Sequence, residues 1–405
     1  MTDINSGHRA MVDDFSAADA GALPSLRRIF LILFYGYFAF GVLLQIFPPL
    51  LSKLQSEFSI DNNTVSLVMT AFLAPIVVFA IPSGMAVDRW GPTAAIRVGL
   101  GTMLVGVAVT LLTSSWLLLL TGRLISGVGG ALLLVALLKI AAQLVPRDKL
   151  GLAVGIFAAG LPAGTVVAFN LLRPLDQLGG WRLVSFGAAL LVLSAIFVFE
   201  FSGGRALPRG GASVNVARVL KSGPLWRLAA VTVFGYAAIV GFTTWAPKIL
   251  VDNMGTSAAV AAFIASVLLL IDIPFAPFWG NVSDRLRRRK VFVVIAFAIY
   301  LIGSLLVPGA AASGGIFILV VIVVTMGVGC SMFFPAALAI PAETVPHELS
   351  GAAYGLVFTA QVSGMVLGPQ VIALVLDATS ATGAFLTVSA LTLIGLLLGF
   401  SLRAR

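Results

Sequence analysis

Long apolar runs separated by short polar breaks occupy the chain from about residue 27 to residue 403. Each run is about 20 residues, the length at which a helix rising 1.5 Å per residue crosses a hydrocarbon core about 30 Å thick. Twelve spans follow from the pattern. The first six lie near 29–51, 64–87, 93–113, 116–142, 150–172 and 181–201, and the next six near 227–251, 257–282, 290–309, 314–341, 350–376 and 382–402. The spans are predicted to be helices, because a segment alone in lipid has to satisfy its own backbone hydrogen bonds. The expected fold class is an all-α polytopic membrane protein, with twelve transmembrane helices in two pseudo-symmetric six-helix bundles.

The symmetry is written in the residues. The stretches beginning at Ile125 and Thr325 keep Gly127 with Gly327, Gly129 with Gly329, Pro146 with Pro346, Gly151 with Gly351, and Gly155 with Gly355 in register. A second pair, Gly84 to Arg89 and Gly280 to Arg285, repeats at nearly the same offset. A chain duplicated in this way builds two alike halves around a midplane site, as many carriers do. The expected organisation is a disordered cytoplasmic tail at 1–26, an N-terminal bundle at 27–201, a cytoplasmic linker at 202–225 and a C-terminal bundle at 226–403. The linker is rich in glycine and basic residues, with a short surface helix expected around Val214 to Leu220. The first span is too long for the apolar region of a cleaved signal peptide, and Phe47-Pro48-Pro49 follows it where a small-residue cleavage site would stand.

Composition agrees with lipid as the solvent: 60% of residues are hydrophobic, 10% are charged, and mean hydropathy is +1.08. Charge then orients the spans. Arg27, Arg28, Arg89, Arg97, Arg147, Lys149, Arg205, Arg209, Arg218, Lys221, Arg285, Arg287, Arg288, Arg289, Lys290, Arg403 and Arg405 fall on one side, against Lys53, Arg173, Arg182 and Lys248 on the other. The positive-inside rule makes both termini and the linker cytoplasmic. Basic residues dispersed among membrane loops account for the net charge of +9 by contact with anionic lipid and not with nucleic acid. His8 and His347 are the only histidines and Cys330 the only cysteine, so no metal centre, cofactor or enzyme chemistry is expected. Cys330 reads as a small packing residue, and Lys139 as a side chain that snorkels to the cytoplasmic surface.

Gly84-Met85-Ala86-Val87-Asp88-Arg89-Trp90-Gly91 resembles the signature of the major facilitator superfamily, and Gly280 to Arg285 is its degenerate copy. Arg123 ahead of Gly127, Gly129 and Gly130 resembles that family's arginine–glycine segment, and the glycines around Pro162 its helix-5 motif. The fuller glycine–proline–double-glycine form associated with drug antiporters is absent there. Pro92 and Thr93 stand where the family usually has basic residues, and Arg287 replaces the second glycine of the later copy. The resemblance implies alternating access between the halves. It also implies gating by Gly84, Asp88, Arg89, Gly280, Asp284 and Arg285, with Asp88 docked near Leu349 to Ala352. Gly84 is expected to let the second helix approach a neighbour closely.

Polar residues inside spans mark the candidate site. Tyr37, Gly41 and Gln45 form one stripe at i, i+4, i+8, and Tyr236, Val240 and Thr244 form its repeat; Gln361, Ser363, Asn170 and Gln370 add further candidates. Tyr35 falls on the face opposite Tyr37. Asp272 interrupts an apolar run about twelve residues, or roughly 18 Å, from Asp284, which suits a proton carrier. Arg123 lies roughly 10 Å inside the membrane, at a depth similar to that of Asp272 as counted from the outer side, so the two are candidates to pair. Val323 is the repeat counterpart of Arg123. Substrate contacts are therefore expected from Tyr37, Gln45, Arg123, Tyr236, Thr244 and Gln361, with proton coupling by Asp272. The reading is a monomeric secondary transporter for a small polar or anionic solute, coupled to protons or working by exchange. The alternative is a proton-driven efflux pump for lipophilic compounds.

Overall fold

The computed structural model describes residues 25–145, 150–202, 219, 221–286, 288–345 and 350–402. The expected tail, most of the expected linker, and Pro146 and Pro346 of the repeat lie outside the described residues. Among those described, every regular element is helical. The long helices are α1 (Leu26–Gln45), α2 (Asn62–Trp90), α3 (Pro92–Leu112), α4 (Trp116–Leu144), α5 (Leu150–Val166) and α6 (Asp176–Phe201). They continue as α7 (Gly223–Met254), α8 (Ala258–Leu286), α9 (Arg289–Ala312), α10 (Ile316–Thr344), α11 (Ser350–Ala378) and α12 (Ala381–Phe400). Eleven stretches are long and apolar enough to span a membrane, and the longest, Gly155–Phe201, holds two crossings, α5 and α6. The protein is a multi-pass membrane protein of twelve helices. Its outer faces carry bare apolar side chains, such as Leu112 at 89% and Phe317 at 80% exposure, which only lipid can cover.

Boundaries depart from the hydropathy pattern where backbone chemistry intervenes. The first span does not run to residue 51. Pro48 and Pro49 have no N–H to give to the carbonyls of Leu44 and Gln45, so α1 stops at Gln45. A 3-10 turn at Pro48–Leu50 and a short helix, Leu51–Phe58, follow it. That helix ends on Ser59, whose φ is 53°. α5 widens into a π-helical turn over Val167–Leu172 beyond Pro162. α6 is interrupted by Gly179 and Gly180, the latter at φ 70°, so its spanning part starts at Trp181 as the sequence predicts. α2, α7 and α8 project past their apolar runs, because hydropathy reports where lipid ends and not where a helix ends. α2 opens on Asp61, whose carboxylate accepts from the Thr64 amide at 2.7 Å.

The two bundles repeat one packing scheme. α1 packs on α5 as α7 does on α11, α2 on α4 as α8 does on α10, and α3 on α4 as α9 does on α10. Glycines make the closest approaches: a Cβ on Gly160 would stand 2.6 Å from the Phe34 carbonyl, and Gly164, Gly364 and Gly368 press in the same way on Phe38, Val233 and Ala237. Repeat partners Gly129 and Gly329 abut Gly99 and Ala296. Between the halves, α2 packs on α11 and α5 on α8.

Candidate functional site

Five helices line a small cavity of about 30 Å³ between the two halves. Tyr37 and Gln45 enter it from α1, Tyr236 and Thr243 from α7, and Asp272 from the midpoint of the 29-residue α8. Leu161 and Pro162 of α5 and Cys330, Phe333 and Phe334 of α10 complete the wall. Gly41, between the two polar residues of α1, lies so close to α5 that a Cβ there would stand 2.7 Å from the Leu161 carbonyl. That contact brings Leu161 and Pro162 to the same cavity.

Aromatic packing fixes the two tyrosines. Tyr37 stacks on Phe157 with ring centroids 4.2 Å apart and 6° between planes, and its side chain interacts with Gln361 of α11. Tyr236 stands 6.0 Å from Phe333 and 6.1 Å, edge-on, from Phe334. Of six buried side-chain polar atoms without a hydrogen-bond partner among the described residues, Gln45 Oε1 and Asp272 Oδ1 belong to the cavity wall, and Thr244 Oγ1 and Gln361 Nε2 to residues next to wall residues Thr243 and Tyr37. An unmade hydrogen bond is costly inside a protein, so such a cluster beside a cavity is a place where a ligand supplies what the fold withholds.

The sequence stripe on α7 is corrected by one residue. A step of eight residues turns a helix by about 80°, whereas seven turns it back to within about 20°. Thr243 therefore shares the face of Tyr236 and lines the cavity, while Thr244 is fully buried beside it. The longer side chain of Gln45 reaches the cavity from the same eight-residue step on α1. Gln361 sits behind Tyr37. Cys330, read from sequence as packing, is part of the wall.

Arg123 is buried but stands away from the cavity wall, and it makes no ion pair with Asp272. Its Nε donates to Val68 O at 3.0 Å, and its terminal nitrogens donate to Leu43 O at 2.5 Å and Leu44 O at 3.4 Å. The guanidinium lies 4.3 Å from the Phe72 ring centroid and 5.1 Å from that of Phe47. The cause lies in α1, whose last carbonyls have lost amide donors to Pro48 and Pro49. Arg123 supplies donors there, a side-chain cap on a helix C-terminus, where a positive charge also suits the helix dipole. In the second half α7 runs on past Pro247 to Met254, no such end exists, and Val323 stands where the arginine would.

No described atom lies within 4 Å of a Cβ built on Gly84, so the close helix contact expected there is not made, and Met85 is 69% exposed. Gly280 does meet a neighbour, with Pro335 3.3 Å from its Cβ position. Arg89 and Arg285 are exposed. The side chains of Asp88 and Asp284 lie outside what the structure describes, and so does most of the segment Leu349 to Ala352. The hydrogen bonds described between the halves all lie toward the opposite end. Asn62 Nδ2 and the Asn63 amide donate to the Asp377 carboxylate at 2.5 and 2.9 Å, and Gln370 Nε2 donates to Thr70 Oγ1 at 2.6 Å. Asn170 Nδ2, in the π turn, donates to Ser266 Oγ at 2.9 Å. Asn170 and Gln370 are repeat partners, and each ties its own half to the other. The described hydrogen bonds between the halves thus close the bundle at the far end.

The model of the Major Facilitator Superfamily matches residues 33–271 and 247–405. The "Nitrite extrusion protein" of Bacillus subtilis is 24% identical over 337 residues, which cover 82% of each chain. The "Probable nitrate/nitrite antiporter NarK1" of Thermus thermophilus is 24% identical over 68% of this chain, which spans 63% of that protein. The human "Lysosomal dipeptide transporter MFSD1" is 22% identical over 90% of this chain and 85% of its own.

Proposed function

The chain belongs to the Major Facilitator Superfamily and is a secondary transporter that works by alternating access, and we propose that it moves a small polar or anionic solute through the α1–α5–α7–α8–α10 cavity with Asp272 as the proton-exchanging group. The observation that carries this is the carboxyl group itself: ionisable, central, on the cavity wall, with one oxygen buried and unpartnered. A lone charge is costly to bury, so loading the cavity and protonating Asp272 are linked. The groups that face it, Tyr37 from α1, Tyr236 from α7 and Cys330 from α10, are all uncharged at neutral pH. A solute bearing negative charge fits beside a protonated Asp272, which gives symport. A solute bearing positive charge displaces the proton, which gives exchange.

The cargoes named for the three relatives, nitrite, nitrate and dipeptides, are small and polar, and they support this reading over export of lipophilic compounds. The positive-inside rule supports placing the termini in the cytoplasm, with the protein in the inner membrane. The working unit is one chain, with bundles at 27–201 and 226–403 joined by the linker, embedded in lipid and engaged in transport and not catalysis. Radiolabelled counterflow and gradient-driven uptake, measured in the same proteoliposomes, test the assignment. Asp272→Asn is expected to keep counterflow and lose accumulation driven by a pH gradient. Full pH-driven accumulation by Asp272→Asn would remove Asp272 from the coupling step.

A further inference from the structure

The charge in the cavity has one sign. Among the described lining residues Asp272 is the only carboxylic acid, and none is basic. The nearest candidate cation, Arg123, has its guanidinium turned onto the carbonyls of Leu43, Leu44 and Val68. From the other half, Gln45 brings a second unpartnered acceptor, Oε1, on a side chain only 1% exposed. The two acceptors belong to opposite halves and border one space. Around them stand the rings of Tyr37, Tyr236, Phe333 and Phe334, the kind of wall that favours a cation by the quadrupole of its π faces. A bare oxyanion brings only acceptors to acceptors. An ammonium group brings N–H donors to both and charge to one.

Resting on the carrier reading above, we propose that the solute carries an amino group, as a small amine, an amino acid or a short peptide does, and that its N–H donors bridge Asp272 and Gln45. Where the solute is zwitterionic, its carboxylate lies toward the side chains of Tyr37 and Tyr236, which line the same space. The amino group and the coupling proton then compete for one carboxylate, so the solute moves by exchange against protons. Contact with both halves also makes the ligand sensitive to their relative position, which is what a transported solute must be.

The test uses the purified full-length protein and four probes: alanyl-alanine, N-acetyl-alanyl-alanine, butylamine and sodium nitrate. Binding is read by thermal shift and transport by counterflow in proteoliposomes. Alanyl-alanine is expected to raise Tm and to exchange, and acetylation, which removes only the ammonium, is expected to weaken binding at least tenfold. Butylamine separates the sources of the ammonium: binding equal to the dipeptide's assigns the site to amines, and binding much weaker assigns it to zwitterions, each in agreement with the proposal. Gln45→Leu, which deletes an already unsatisfied acceptor at similar volume and so folds, should weaken the amino probes several-fold. If nitrate binds and exchanges while both peptides bind alike or not at all, the amino class is overturned and the carrier reading stands. If no probe binds or exchanges, the proposal and that reading both fail.

Discussion

Two neutral bridges between the halves, Asn170 to Ser266 and Gln370 to Thr70, work beside the bonds from Asn62 and Asn63 to Asp377 to hold the far end shut. Both neutral bridges are part-buried, at 2.9 and 2.6 Å. A hydrogen bond of this kind contributes about 1 kcal/mol net. The two pairs share no partner, so their losses should add to about 2 kcal/mol. At about 1.4 kcal/mol per factor of ten, the double variant Asn170→Ala/Gln370→Ala should shift the ratio of the two conformations about 30-fold toward the one open at the far end. Asn170 also donates to Val166 O within its own helix. Ser266→Ala is the control from the other side of the bond: it loses the link across the halves together with a different intrahelical bond, Ser266 Oγ to Phe263 O at 2.8 Å, and should reproduce the effect of Asn170→Ala. Spin labels at Ser56 and Asn253, both exposed and in different halves, report the far-end separation by pulsed electron resonance, while the single native thiol, Cys330, is 5% exposed. A double variant whose distance distribution matches the parent's would refute the argument that these bonds hold the end closed.

Arg123→Met should lower Tm sharply, by about 3 kcal/mol or more in stability, because it strips donors from the end of α1; solute affinity in the surviving folded fraction should change little, and a large affinity loss at unchanged Tm would contradict the capping role. Gly84→Leu adds a side chain where no described atom lies within 4 Å, so the folded protein should melt like the parent yet transport slowly, because the added side chain obstructs approach of a neighbouring helix there when the carrier changes conformation; normal turnover would exclude a gate there. Hydrogen bonds from Thr64, first through its side chain and then its backbone, hold the Asp61 carboxyl below its ordinary value of 3.8. Because that value is depressed on folding, the anchor is complete above the ordinary carboxylate range and is lost as pH falls through the depressed value. Amide exchange at the start of α2 should stay flat from neutral pH to about 4 and rise only below it, after correction for intrinsic rates.

The helices were legible because lipid imposes a single rule, an apolar run long enough to span, and the glycine register revealed the duplication. Local chemistry explained the departures: Pro48-Pro49 ended α1 early, and the π turn at Asn170 left no mark in hydropathy. At the site, depth could be counted along a helix but direction could not. Tyr37, Gln45, Tyr236 and Asp272 came together because each interrupts an apolar face. Thr243 was missed because an i+8 stripe drifts where i+7 does not. Arg123 was placed at the right depth, but where its guanidinium points depends on carbonyls freed in a different helix by two prolines 75 and 74 residues earlier in the chain. Asn170 and Gln370 were recognised as partners by their register, yet only the packed helices put them on the seam between halves.

The broken end of α1 also constrains how this protein can change by descent. Pro48, Pro49 and Arg123 form one unit: the prolines strand carbonyls, and the arginine has a reason to be buried only while those carbonyls are stranded. Restoring amide donors by replacing the prolines would leave a guanidinium inside a membrane bundle with fewer acceptors. Losing the arginine first would leave the carbonyls bare. Each single step descends before the pair can recover, so the three residues should be inherited together, and the half that carries them is no longer free to converge back toward its duplicate.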